Sequence, residues 1–268
     1  MANSTEDETL ETKIAKWLGE QGYRLEYMAY QAFKTSGINS VMSTYLKSSE
    51  GKSREIDVTA WAGNQKDGIS VRVLCECKYS AKPWLLLGSD LKANFQRDWH
   101  SLPHSAPINA LWKHIHENKA HLAPVWHFSS NANFAHSVIE GLKKDDNRDF
   151  AFNALQKIAH AAWDWVESED VDFSYAYRVA IPCIIVDAPL MWVVFDGCSG
   201  QFKVEEIPYG RILWNGCRSG TLIDVVQINA LGDYVATVKN AFSVIENVLW
   251  YGKGMQGKSQ LYEITDDI

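Results

Sequence analysis

Three charged side chains in the first third of the chain are of types that can assist phosphodiester hydrolysis. Asp57 ends the run EID, and Glu76 and Lys78 flank Cys77 in the run ECK. Two carboxylates can hold Mg²⁺ or Mn²⁺ through their oxygen atoms, usually with several waters retained. An ammonium group beside them can orient an attacking water or offset the charge of the transition state. These residues predict a metal-dependent hydrolytic site, provided that the fold brings them together.

The segment between the two runs predicts how they meet. GNQKDG is a turn sequence, and the residues on either side alternate between apolar and polar as strands do. If Asn64 and Ile69 close this hairpin, Asp57 lies opposite Glu76 and both side chains leave the same face of the sheet. Lys78, two residues further on, faces the same way. The residues expected to pack behind this cluster are Ile56, Val58, Cys75 and Cys77.

A solvent-facing ion pair is the alternative interpretation, because Glu and Lys two apart on a strand often form nothing more. The surrounding residues favour a functional role. The run VRVLCECKY has the composition of a central strand, and charges in a buried strand require a partner or a purpose. We therefore predict that Asp57, Glu76 and Lys78 form an active site, with Asp57 and Glu76 as metal ligands.

The composition excludes several other classes of protein. Hydrophobic residues make up 46% and charged residues 22% of the 268, as in ordinary globular proteins. No apolar run is long enough to span a membrane, the N-terminus lacks a signal-peptide pattern, and the five cysteines form no CxxC pair. We expect a cytoplasmic protein without membrane contact. The net charge of −7 argues against bulk electrostatic coating of nucleic acid, but not against a nuclease.

The elements that must position these residues follow from the periodicity of the chain, which predicts an α/β domain with a mixed central sheet, flanking helices and a β-rich C-terminal half. Helices are predicted over Thr9–Glu20, Leu25–Ser36, Ser89–Leu102, Ile108–Leu122, Asn147–Val166 and Leu231–Trp250. Strands are predicted over Ile38–Lys47, Glu55–Ala62, Ile69–Tyr79, Ala123–Ser130, Arg178–Asp187, Leu190–Asp196, Phe202–Ile207 and Thr221–Ile228. The expected single domain comprises an N-terminal helix (8–21), a core (22–80 and 146–196), an insert (81–145) and a C-terminal extension (197–268).

The spacing Asp57…Glu76-x-Lys78 and the order of the elements resemble the PD-(D/E)XK, or restriction-endonuclease-like, nuclease superfamily. The predicted helix, three strands, helix and strand follow the order of its αβββαβ core, most clearly from Gln21 to Ser80. Similar cores occur in type IV restriction enzymes, archaeal Holliday-junction resolvases and RecB-type nuclease domains. The resemblance implies an endonuclease that cleaves DNA with Mg²⁺ (or Mn²⁺), with a role in prokaryotic defence against foreign DNA, including antiviral defence.

The resemblance also implies a role for individual residues. Asp57 would be the first metal ligand, Glu76 the second and Lys78 the catalytic lysine. Many relatives add a glutamate on the preceding helix, and Glu26 matches that position; an interaction with the helix dipole is the alternative for it. RecB-like members use a glutamine on the following helix, for which Gln156 is the counterpart unless it is simply exposed.

Residues after the ECK run could contact the substrate. Tyr79 and Lys82 are candidates to line a nucleic-acid groove, whereas Trp84 could serve there or anchor the loop to the core. The charge run KKDDNRD offers further phosphate contacts. The basic residues of this charge run are Lys143, Lys144 and Arg148. The whole segment from Lys78 to Asn147 departs from the family pattern and could form an inserted subdomain.

Histidines between positions 100 and 127 offer a zinc site as another hypothesis. Their spacing fits neither HExxH nor a ββα metal motif, and His114 and His116 face apart on a helix. We expect these side chains to lie on the surface or to pack with aromatic rings instead. The histidines concerned are His100, His104, His114, His116, His121 and His127.

The acidic balance of the chain bears on its partners. DNA would be delivered to an acidic nuclease by a homodimer or by a partner ATPase or helicase subunit. Two alternatives remain open: a catalytically silent, or ligand- or partner-activated, nucleic-acid-binding effector, and a nuclease directed at RNA. The intact Asp57, Glu76 and Lys78 set argues against a silent site, and no motif separates RNA from DNA.

Overall fold

Alternating apolar residues along successive strands build one large sheet with a helical layer on each face. The structure, a computed structural model, describes residues 9–20, 22–47, 51, 53–64, 68–92, 95–122, 133–142, 149–168, 176–217 and 220–263. These residues form an α/β fold with a mixed sheet of ten strands and seven α-helices, which confirms the predicted fold class at that level.

The bounds of the elements are as follows. The helices are α1 (Leu10–Glu20), α2 (Tyr23–Thr35), α3 (Phe95–His100), α4 (Trp112–Glu117), α5 (Lys119–Leu122), α6 (Phe150–Glu167) and α7 (Leu231–Glu263). The strands are β1 (Asn39–Lys47), β2 (Ser53–Asn64), β3 (Ile69–Tyr79), β4 (Trp84–Lys92), β5 (Asn133–Glu140), β6 (Tyr177–Asp187), β7 (Leu190–Asp196), β8 (Gln201–Glu206), β9 (Tyr209–Trp214) and β10 (Thr221–Gln227).

The strand order in the sheet is β1-β2-β3-β6-β10-β9-β5-β4-β7-β8. The first three strands form an antiparallel meander, and β6 joins β3 in parallel. On one face α2 and α7 cover a core that includes Val58, Val73 and Cys75. On the other face α6 covers a second core that includes Ile56 and Leu74. The sheet is therefore buried on both sides where β2, β3 and β6 meet.

The turn from α2 into β1 shows how the first layer is fixed. Ala29 and Phe33 are fully buried against the sheet, so α2 cannot rotate without exposing them. Gly37 ends the helix with a φ of +77°, a conformation that side chains other than glycine rarely adopt. The backbone N–H of Ile38 then donates to Phe33 O at 3.1 Å, which closes the last turn and directs the chain into β1.

Residues 81–145, expected to form an insert, contribute β4 and β5 to the same ten-stranded sheet. Here the helix predicted from Ser89 is wrong over its first four residues, Ser89–Lys92, which end β4. Neither β5 nor β9 was predicted. In β5 the buried residues Phe134, Ala135 and Val138 have helical rather than alternating spacing, so periodicity could not identify the strand. The strand predicted over Ala123–Ser130 lies outside the described residues.

Strand β4 was not predicted either, and the helix predicted over Ile108–Leu122 is divided into a 3-10 helix (Ala106–Leu111), α4 and α5. The other predicted elements are confirmed within a few residues at their ends, except that α7 continues well beyond Trp250. Among the described helices, none combines the length and the apolar character needed to cross a membrane.

Candidate active site

The β2–β3 hairpin has the register that its turn sequence predicts. Asn64 pairs with Ile69 at the turn, and the ladder runs regularly to Val58 paired with Cys75. Beyond this point the Asp57 side chain forms the link between the strands: its Oδ2 accepts a hydrogen bond of 2.7 Å from the Cys77 backbone N–H. The carboxylate of the first run is therefore held by the backbone of the second.

The centre of the site is the carboxylate of Glu76, of which only 1% is exposed. Its Oε1 lies 2.5 Å from Lys78 Nζ. Its Oε2 lies 2.5 Å from Lys157 Nζ, which is also 3.7 Å from Asp57 Oδ1. Two carboxylates and two ammonium groups thus converge, as predicted for Asp57, Glu76 and Lys78 but with Lys157 of α6 as an addition that was not predicted.

One detail of the predicted arrangement is wrong. Ile56 and Val58 were expected on the same side of the sheet, but Ile56 packs beneath α6 whereas Val58 packs beneath α2 and α7. Ser43, across from Asp57 on β1, has a φ of +51°, and regular pairs flank it on both sides. At this level the side chains of both strands therefore switch from one face of the sheet to the other. Asp57 consequently lies between the α2–α7 layer and the α6 layer, and not wholly on either face. A serine in the left-handed region is uncommon and stores strain, often at functional sites.

Because Asp57 lies between the two helical layers, charged groups on both faces of the sheet interact with its carboxylate. Lys157 approaches from the α6 side, and Glu26 approaches from the first turn of α2. Burial raises the pKa of Glu26, and the charges of Asp57 and Glu55 raise it further. Glu26, the third predicted acidic residue, is therefore within electrostatic reach of the cluster while also lying at the helix N-terminus.

Burial is also the main cause of the raised pKa of Glu76, and the charge of Asp57 adds to it. Lys78 and Lys157 oppose this shift without cancelling it. Burial alone would lower the pKa of Lys157, but attraction to Glu76 and Asp57 outweighs it, so the pKa of Lys157 is raised. The ammonium group is consequently held in its charged form between two acids that would otherwise repel each other.

The donor set fits a hard, hydrated cation. Mg²⁺ is usually bound through one or two protein carboxylates and retains waters, and Asp57 and Glu76 supply such a pair. Within the described residues no group of three or more His, Cys, Asp or Glu side chains could enclose a metal ion. A structural zinc site, which needs four protein ligands, is not supported by the part of the chain that is described.

No family model, curated protein or solved structure matches this chain. Its chemistry is therefore inferred from the site itself.

The three predicted nucleic-acid contacts lie outside the ion-pair cluster. Tyr79 and Lys82 are exposed at and beyond the end of β3, and Gln156 is half-buried on α6 beside Lys157. Trp84 is fully buried at the start of β4, so it anchors the core rather than lining a groove. The basic residues of the predicted charge run, Lys143, Lys144 and Arg148, lie outside the described residues.

Two of these histidines make the packing and hydrogen-bond contacts expected of structural side chains. His104 is buried, with Nδ1 2.7 Å from Leu102 O and Nε2 3.1 Å from Asn109 Oδ1. The His100 ring centroid lies 4.6 Å from that of Trp112. These contacts account for two members of the histidine-rich region, and His127 lies outside the described residues.

A weak sequence signal for Lys157 does exist. On α6 the alanines Ala154 and Ala161, three residues before and four after it, are buried. Residues at this spacing share a helix face, and small side chains allow a helix to approach a sheet closely. A lysine between two such alanines is directed along the packed face, where an acidic side chain can balance its charge.

Glu76→Gln is expected to stabilise the metal-free protein, and more strongly at higher pH. Because folding raises the pKa of Glu76, the folded state binds its proton more tightly than the unfolded chain does. The ionised carboxylate therefore reduces stability as pH rises above its ordinary pKa, and glutamine removes this charge. The difference in Tm between the variant and the wild type, measured in EDTA, should grow from about pH 4.5 to about pH 8. A constant or shrinking difference would contradict this, with exposed Glu205→Gln as the control.

Proposed function

We propose that this protein is a metal-dependent nuclease that cleaves DNA endonucleolytically at the Asp57–Glu76–Lys78 site. The observation that supports this most directly is the convergence of two carboxylates and two ammonium groups at one end of a hairpin, joined by three ammonium–carboxylate contacts of 2.5–3.7 Å. Asp57 and Glu76 can hold a divalent cation, and phosphodiester cleavage needs both a cation site and a nearby positive charge.

Each residue has a role that its position supports. Asp57 and Glu76 would hold Mg²⁺ or Mn²⁺, with Asp57 fixed by the Cys77 backbone. When bound, the cation would polarise the phosphate and lower the pKa of an attacking water. Lys78, whose side chain is 31% exposed, can turn from Glu76 towards a substrate to orient the water or offset developing charge. Glu26 would add acidic character from the opposite layer.

The arrangement of the elements also supports the proposal. The order α2, β1, β2, β3, α6 and β6, with β6 parallel to β3, resembles the αβββαβ order of the PD-(D/E)XK superfamily, with β4, α3 to α5 and β5 inserted between β3 and α6. A role in defence against foreign DNA, and delivery of DNA by a second copy or by an ATPase or helicase partner, belong to the same proposal. They rest on that resemblance and on the net charge of −7.

The test is cleavage of supercoiled plasmid, single-stranded DNA and RNA by the wild-type protein with Mg²⁺, with Mn²⁺ and with EDTA. We expect metal-dependent nicking of DNA that EDTA abolishes and that is lost in the Asp57→Asn variant. Cleavage that persists in the variant would indicate a contaminating nuclease. Cleavage of RNA alone would replace the DNA assignment, and a folded wild-type protein that cleaves nothing would favour an effector that binds without turnover.

A further inference from the structure

A group of exposed tyrosines lies on the α2 side of the candidate active site. Tyr23 on α2, three residues before Glu26, is 48% exposed. Tyr45 on β1 is 65% exposed, and Tyr79 at the end of β3 is 69% exposed. These three residues are called the tyrosine rim below.

The packing of neighbouring residues places the two strand tyrosines on the same side as α2. Leu46 packs into the core beneath α6, so the adjacent Tyr45 faces the opposite side, towards α2. Cys77 packs in the core beneath α2 and α7, and strand alternation carries Tyr79, two residues further, to that side as well. Tyr45 and Tyr79 therefore lie on the same face of the sheet as Glu26.

The rim is connected to the acidic site rather than merely near it. Tyr45 pairs with Glu55, two residues before Asp57 on β2, and the charge of the Glu55 carboxylate raises the pKa of Tyr45. Tyr23 is close enough to act on Tyr45 electrostatically, and its ring centroid lies 6.5 Å from that of Trp17 on α1. The aromatic surface consequently extends from the catalytic carboxylates outwards along α2 and α1.

Exposed cations accompany these rings. Arg24 lies beside Tyr23 on α2, and Lys47 lies two residues after Tyr45 on β1. Lys82 follows Tyr79 beyond β3 and is also exposed. Aromatic faces interleaved with cations are how proteins bind single strands, since bases stack on the rings while Lys and Arg contact phosphates.

A duplex cannot use such a surface, because its bases are stacked on one another and their faces are covered. Only unpaired bases present a free face to an aromatic ring. We propose that the tyrosine rim stacks unpaired bases next to the scissile phosphate, so that the substrate is single-stranded DNA or an unpaired segment of DNA. This rests on the proposed nuclease function and specifies its substrate.

The test measures binding separately from cleavage. Anisotropy of fluorescein-labelled oligothymidylate is recorded with the Asp57→Asn protein in Mg²⁺ buffer at one fixed salt concentration, and compared with a hairpin duplex of equal length. Adding Tyr45→Ala or Tyr23→Ala should weaken oligothymidylate binding by roughly five- to 150-fold, the range for loss of one stacked base. The hairpin duplex should bind more weakly than oligothymidylate and should be insensitive to these changes.

Two matched variants separate stacking from other effects. Tyr45→Phe keeps the ring but removes the hydroxyl beside Glu55, so it should retain the parent affinity. A loss equal to that of Tyr45→Ala would assign Tyr45 a merely structural role. Phe202→Ala removes a ring that is 68% exposed on β8. Because β8 and β1 are opposite edges of the sheet, this ring lies roughly 40 Å from Tyr45 at the usual strand spacing. It should have no effect.

The outcomes distinguish this proposal from the nuclease proposal. Unchanged affinity in both alanine variants, or tighter binding of the duplex than of oligothymidylate, would overturn the stacking role even if the wild type cleaves DNA. Rim-dependent binding by a protein whose wild type cleaves nothing would support the rim and reject the nuclease. Preference for oligouridylate by about tenfold or more would overturn the assignment to DNA.

Discussion

The Lys78→Ala variant is expected to lose roughly a hundred- to a thousandfold in the rate of DNA cleavage while it still binds Mn²⁺. This is the usual effect of removing one preorganised group that stabilises transition-state charge. Lys78 contacts Glu76 Oε1 at 2.5 Å and the Cys77 carbonyl oxygen at 3.2 Å, yet its side chain remains partly exposed. Its ammonium is therefore the charge best placed to turn towards a bound phosphate.

Single-turnover cleavage rates and Mn²⁺ titration calorimetry, measured on the same preparations, check this prediction. Lys203→Ala on β8 is the matched control, since it removes an exposed lysine far from the site in the sheet. A wild-type rate in Lys78→Ala would exclude the catalytic role. Loss of Mn²⁺ binding together with activity would instead show that Lys78 acts by holding Glu76 in place.

The Lys157→Met variant is expected to bind Mn²⁺ about tenfold more tightly than the wild type. The Lys157 ammonium lies 2.5 Å from Glu76 Oε2 and 3.7 Å from Asp57 Oδ1, where it neutralises the two carboxylates in the absence of a cation. A cation must compete with it, and methionine removes this competitor while keeping most of the side-chain volume. Because one third of the Lys157 side chain is exposed, solvent screening keeps the effect well below that of a fully buried charge.

The same variant should be less stable without metal. Glu76 is almost fully buried, and removal of one partner leaves its charge less well compensated. Thermal unfolding should therefore show a lower Tm in EDTA and a larger increase in Tm on adding Mn²⁺ than in the wild type. Lys157→Arg, which keeps the charge, and Gln156→Ala, which changes the neighbouring residue, serve as controls. Unchanged Mn²⁺ affinity in Lys157→Met would show that the lysine does not compete with the metal.

The sequence was sufficient for those parts of the site that depend on neighbours along the chain. The register of the hairpin is determined by the turn between Asn64 and Ile69 and by the alternation on both sides of it. The sequence alone therefore predicted that Asp57 lies opposite Glu76. Helix α2 and strand β1 were predicted for the same reason, because Gly37 and a change in hydrophobic period mark their junction locally. A short turn or junction allows few backbone conformations, and these residues favour one of them.

Tertiary structure decided the rest. The change of face at Ser43 and Asp57 arises where two strands deform together, and neither strand shows it in its own pattern. The membership of β5 in the sheet depends on neighbours that are remote in sequence. Lys157 reaches Glu76 because α6 packs across the sheet, and a lysine on an amphipathic helix is otherwise expected in water. Sequence periodicity specifies which side of an element is buried, whereas the identity of the group it meets there is determined only when the layers pack.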